Sequence, residues 1–126
     1  LRWLLDHPQQ ANIAPGMLQG LSDPRLARTL VALHERPGAP WTLATMALHA
    51  GMSRSSFAAH FTACVGAPPG TYLARWRVAL AGNMLRDGSS VKVAAGALGY
   101  ASASSLSRVF SQETGQSPRD WLRTQR

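Results

Sequence analysis

The sequence predicts an all-α chain with two helix-turn-helix subdomains joined by a long linker helix. Three observations carry this. Apolar residues recur at helical spacing between clear stop signals, no segment of comparable length alternates as a strand would, and the second half restates the first at a near-constant offset. The 126 residues, 45% of them apolar and 15% charged, fit one compact domain or two small subdomains and exclude a disordered chain.

The elements follow in order. Asp23 before Pro24 reads as an N-cap with proline in the first helical position, and Leu26, Leu30 and Leu33 then mark one face until Arg36-Pro37-Gly38 stops the run. Thr42 caps a short helix with Leu43, Met46, Ala47 and Ala50 apolar. Gly51 breaks it, and Ser53 caps a helix carrying Phe57, Phe61 and Val65 on one face. Pro68-Pro69-Gly70 interrupts again, and Tyr72, Leu73, Trp76, Leu80 and Met84 keep helical spacing up to Asp87-Gly88. The predicted bounds are about 42–65 for the first helix-turn-helix, 71–86 for the linker helix and 90–114 for the second helix-turn-helix. These lie within a domain spanning 23–126. Residues 1–22 read as the remnant of a preceding domain or as an interdomain link.

The repeat is the most informative feature. Ala47 and Gly51 map onto Ala95 and Gly99 at a shift of 48, and Phe57, Phe61, Gly66, Pro69, Tyr72 and Leu73 map onto Leu106, Phe110, Gly115, Pro118, Trp121 and Leu122 at a shift of 49. In each unit the chain must turn through roughly 90–120° between two helices, which favours glycine in the turn and a small residue four positions earlier. Phenylalanine and leucine at i, i+4 bury the inner face of the second helix.

The outer faces are then free. The first unit displays Arg54, Ser55, Ala58 and Ala59; the second displays Ala103, Ser104, Ser107 and Arg108. They are small, polar and basic, with no carboxylate until Glu113, so either helix can enter a DNA major groove without electrostatic penalty. The formal net charge is +7, and from residue 37 onward nine basic residues accompany three acidic ones. A polyanion partner is suggested by that balance.

In order along the chain, Trp41-Thr42-Leu43, Ala50-Gly51-Met52-Ser53-Arg54, Trp76-Arg77, Leu98-Gly99-Tyr100, Ser107-Arg108-Val109-Phe110 and Gly115-Gln116-Ser117-Pro118 resemble the C-terminal DNA-binding domain of AraC-type transcription regulators. The resemblance covers roughly Asp23 to Arg123. It implies recognition helices in successive major grooves of double-stranded DNA, with base contacts at Arg54, Ser55, Ala58, Ala59, Ala103, Ser104, Ser107 and Arg108. The chain departs from the usual family pattern at Ala58, Ala59 and Ala103, where long polar side chains are common. Phosphate contacts are expected at Thr42, Arg75, Arg77, Ser90, Lys92, Ser117 and Arg119. The resemblance further implies RNA polymerase as a partner, activation of transcription, a cytoplasmic location, and a small-molecule effector sensed only through a missing N-terminal domain of cupin type.

Ordinary structural roles compete at several positions. Ser53, Ser90 and Ser117 suit helix caps, and Trp41, Trp76 and Trp121 suit packing. His7, His34, His49 and His60 show no metal-ligand spacing, and neither metal nor cofactor is expected. Cys64 reads as a small, at least half-buried hydrophobe. Gly66 to Thr71 lacks the lysine of a phosphate loop, and neither a Gly-x-Ser-x-Gly elbow nor paired catalytic carboxylates occur, so no enzyme is expected. The uncharged stretches are too short to span a bilayer. The chain opens on Leu1 without a signal-peptide pattern and is read as a piece of a longer polypeptide. The competing function is a helical protein-interaction module that docks the alanine-rich Ala58/Ala59 face on another helix.

Overall fold

The structure is a computed structural model that describes residues 20–125, so most of the 1–22 segment lies outside the described residues. Seven complete helices are described: α1 (Pro24–Glu35), α2 (Leu43–Ala50), α3 (Arg54–Val65), α4 (Pro69–Arg86), α5 (Val91–Ala97), α6 (Ala103–Thr114) and α7 (Pro118–Thr124). There is no strand among the described residues. None of these helices is long and apolar enough to cross a membrane.

Caps set the helix starts. Asp23 Oδ1 accepts from the Arg25 and Leu26 amides, opening α1, while Thr42 and Thr45 form a reciprocal capping box at α2. Ser53, Ser90, Ser102 and Ser117 each accept from the amide three residues on. Ser102 is the repeat partner of Ser53, so the duplication already contained this cap. The linker helix starts at Pro69, two residues before the expected 71, because a first-position proline brings helical φ and lacks only an amide that would be unpaired there anyway.

Each unit has its own core. The first joins Leu26, Leu30, Leu33, Met46, Ala47, Ala50, Phe57, Phe61 and Val65 to Tyr72 and Leu73 of α4. The second joins Val78, Ala81 and Leu85 of α4 to Ala94, Ala95, Leu98, Leu106 and Phe110. The expected single apolar stripe along α4 therefore needs correction in its second half. Leu80 and Met84 are only partly buried, and Val78, Ala81 and Leu85 take the inner positions, because the helix serves two cores in succession. Trp76 is buried between them.

The turns follow the expectation. Gly51 and Gly99 have φ of 69° and 84°, a conformation nearly closed to residues with a Cβ. Ala47 and Ala95, four positions earlier, are buried where the helices of each pair approach. At the far end α7 lays Trp121 edge-on to Phe110, with ring centroids 5.3 Å apart, and over Gly82, whose missing Cβ would sit 2.8 Å from the indole.

Candidate nucleic-acid interface

Helices α3 and α6 are built alike: one face sealed, the other open. Phe57 and Phe61 in α3, and Leu106 and Phe110 in α6, are fully buried and anchor each helix to its core. On the opposite side Arg54, Ser55 and Ala59 are exposed and Ala58 is half-buried; Ser104 and Arg108 are exposed and Ala103 and Ser107 half-buried. Of the eight expected base-contact residues five are thus exposed and three half-buried, and none is buried. On a helix of 3.6 residues per turn Ser55 and Ala59, and Ser104 and Arg108, fall opposite the sealed side, Ala58 and Ser107 flank it, and Arg54 and Ala103 reach solvent from the first position of their helices.

Electrostatics favour an anion on these faces. Among the described residues Arg54, Lys92, Arg108 and Arg119 make no ion pair or side-chain hydrogen bond with another described residue. Three of the five described acidic side chains are engaged within the protein. Asp23 lies 2.7 Å from His60, Glu113 pairs with Arg75 at 3.5 Å, and Asp120 pairs with Arg123. The hydrogen bond from His60, helped by the two cap amides, holds the Asp23 carboxyl down at about 2, and Arg123 keeps Asp120 below the ordinary carboxylate range. Arg54 occupies the first turn of α3, where the helix dipole repels a cation.

The expected phosphate contacts divide. Lys92 and Arg119 are exposed. Arg75 is exposed as well but already holds Glu113. Thr42, Ser90 and Ser117 are caps, each accepting from the amide of Thr45, Val93 or Asp120 at 3.1 Å. Arg77 is engaged within the fold: its Nε donates to the Pro37 carbonyl at 2.7 Å and its Nη2 to the Ala39 carbonyl at 2.9 Å. Arg77 is half-buried, and this fork onto two backbone carbonyls occupies its Nε and Nη2 donors.

Other polar groups serve the fold. Arg28 reaches the His49 and Ala50 carbonyls at the end of α2, Trp41 donates to the Arg36 carbonyl at 2.7 Å, and His34 meets Tyr72 at 2.7 Å in the first core. Cys64 is half-buried beside His60. The partners of Arg28 and His34 lie 21 to 38 residues away and could not be found from spacing.

A helix-turn-helix domain family model matches residues 46–124. A putative AraC-like transcription regulator of Streptomyces antibioticus is 45% identical over 107 residues, covering 84% of this chain and 35% of its own length. The transcriptional regulator AlkR of Acinetobacter baylyi is 33% identical over 117 residues, covering 92% of this chain and 38% of its own. The chain thus spans a little over a third of the length of these curated relatives. Among solved structures, the DNA-binding domain of the global transcriptional factor AdpA in complex with a target DNA superimposes with a TM-score of 0.75 at 29% identity, covering 81% of this chain and 92% of that one. The C-terminal domain of AraT, a response regulator from Geobacillus stearothermophilus, shares the fold at a TM-score of 0.76 and 20% identity, covering 81% and 86%.

Proposed function

This chain belongs to the helix-turn-helix family of AraC-type transcription regulators, and from that premise we propose that it is the DNA-reading part of one, with α3 and α6 docked in successive major grooves. One observation carries the reading. Two helices of the same build each turn a basic, carboxylate-poor face to solvent while bulky apolar residues fix the other side.

Base contacts come from Arg54 and Ser55 in the first unit and from Ser104, Ser107 and Arg108 in the second; Ala58, Ala59 and Ala103 offer methyl contacts to thymine. Lys92, Arg119 and Arg75 neutralise phosphates, with the exposed hydroxyls of Thr42 and Ser90 and the half-exposed one of Ser117 as secondary donors. The 49-residue offset places Arg108 opposite Ala59 and Arg54 opposite Ala103. The arginines thus stand at different heights on the two helices, and the half-sites they prefer should be unlike, giving a directional operator and not a palindrome.

The mechanism is recruitment, without bond-making. Bound beside a promoter in the cytoplasm, the full polypeptide activates by contact with RNA polymerase, and a small-molecule effector acts through a domain beyond this chain. Selection of bound sequences from random duplexes tests the reading. Two separated and dissimilar blocks, centred about one helical turn or ~10 base pairs apart, are expected. A single block, or no enrichment at 50 mM salt, overturns it and favours a protein-interaction module.

A further inference from the structure

We infer that Arg77 is a positioning residue, which clasps the loop after α1 to the turn of the second helix-turn-helix unit and thereby sets the rotational and axial register between α3 and α6 on DNA. This rests on the two-groove reading above.

The clasp joins parts that belong to different units. The loop between α1 and α2 is braced onto the first unit: the Ala39 amide and the Trp41 indole both donate to the Arg36 carbonyl, the Trp41 amide donates to Ala39, and Trp41 packs edge-on against His49 of α2 at 5.2 Å. Tyr100 is braced onto the second unit, its amide donating to the Ala95 carbonyl at 2.9 Å. Arg77 of α4 holds both. Its Nε and Nη2 take the Pro37 and Ala39 carbonyls, and its Cζ lies 5.4 Å from the centroid of the Tyr100 ring.

The two backbones touch beside it. A Cβ on Gly38 would stand 2.2 Å from the Ala97 carbonyl oxygen, and one on Gly99 would stand 2.8 Å from the Gly38 carbonyl oxygen. Both glycines therefore permit a backbone contact that no side chain could share. Without this contact α4 is a single strut, and the second unit is free to roll about its axis by helix bending and twisting. An attachment away from that axis removes the roll. Arginine suits the task because its planar fork reaches two carbonyls and its flat face stacks on an aromatic ring; lysine offers a point charge that does neither.

Register matters because one added base pair rotates a site by roughly 35° and advances it by ~3.4 Å. The experiment is a binding series on duplexes carrying the two selected blocks at their preferred spacing, at that spacing plus one or two base pairs, and with one block alone. Wild type, Arg77→Ala and Arg77→Lys are compared, each first checked by thermal melting.

The expected result is a spacing penalty of about tenfold or more for wild type, falling to about threefold or less in both variants, with one-block binding unchanged; these are order-of-magnitude expectations for a mismatched site. A merely structural residue would lower all affinities together and leave the penalty intact. A folded Arg77→Ala with the wild-type penalty overturns the clasp while the two-groove reading stands. If Arg77→Ala does not fold, Arg77→Lys decides by the same criterion. A wild type that binds one block as well as two, at every spacing, overturns the two-groove reading and the clasp with it.

Discussion

His34 and Tyr72 meet through a 2.7 Å hydrogen bond inside the first core, 38 residues apart in sequence, with the imidazole also stacked at 4.0 Å on Trp76. Burial holds the imidazole down at about 4 and pushes the Tyr72 phenol above its ordinary range. Charging this histidine would place a cation among rings with little water.

Stability should therefore fall as pH drops through a defined window. The unfolded histidine titrates at 6.5 and the folded one at about 4, so between these values the unfolded chain binds a proton that the folded chain refuses. The stabilisation is complete above pH 6.5 and is lost by about pH 4, amounting to about 3 kcal/mol at ~1.4 kcal/mol per pH unit. Asp23 adds a lower step, present above its unfolded value of 3.8 and lost as pH falls towards 2. Urea titrations across pH 7 to 2 read both. His34→Gln, which keeps a polar partner for Tyr72 but takes up no proton, should abolish the upper step alone; an unchanged upper step would sink the assignment.

Two alanine substitutions three residues apart should act in opposite directions. Gly96 is exposed within α5, and a Cβ there meets nothing within 4 Å, so Gly96→Ala should stabilise by about 0.5–1 kcal/mol through helix propensity. Gly99 has φ of 84° and faces the Gly38 carbonyl, so Gly99→Ala should destabilise by about 2 kcal/mol or more through backbone strain and the clash. Thermal unfolding of the two variants side by side checks the pair, and equal signs would contradict the geometry.

Arg108→Ala should cost about 1–3 kcal/mol at one or two base positions of the second block and relax the preference there. Arg54→Ala should do the same in the first block only. Competition binding with single-base operator variants measures both. Loss spread evenly over all sequences would instead mark these arginines as phosphate contacts.

Lys92→Ala should weaken binding to every sequence alike. The slope of log K against log salt should become shallower by about 0.9, the contribution of one neutralised phosphate. Titrations between 50 and 200 mM salt provide the slope, and an unaltered value removes Lys92 from the interface.

Much of this was legible from spacing. The 48- and 49-residue offsets located both glycine turns and both sealed faces, because helical periodicity decides that the side opposite Phe57/Phe61 or Leu106/Phe110, with Ser55, Ala59, Ser104 and Arg108, faces water. What was not legible depended on partners remote in sequence. Arg77 reads as one more cation until the Pro37 and Ala39 carbonyls arrive beside it, and Asp23 reads as a cap until His60 folds against it.

The sequence by itself determined the order of the helices, most of their caps, the duplicated unit and the sealed side of α3 and α6, since these follow from interactions within a few residues. Only the tertiary structure decided which charges remain available to a partner and how one unit is tied to the other. Those outcomes depend on which distant carbonyls, carboxylates and rings meet when two separate cores close on the same linker helix.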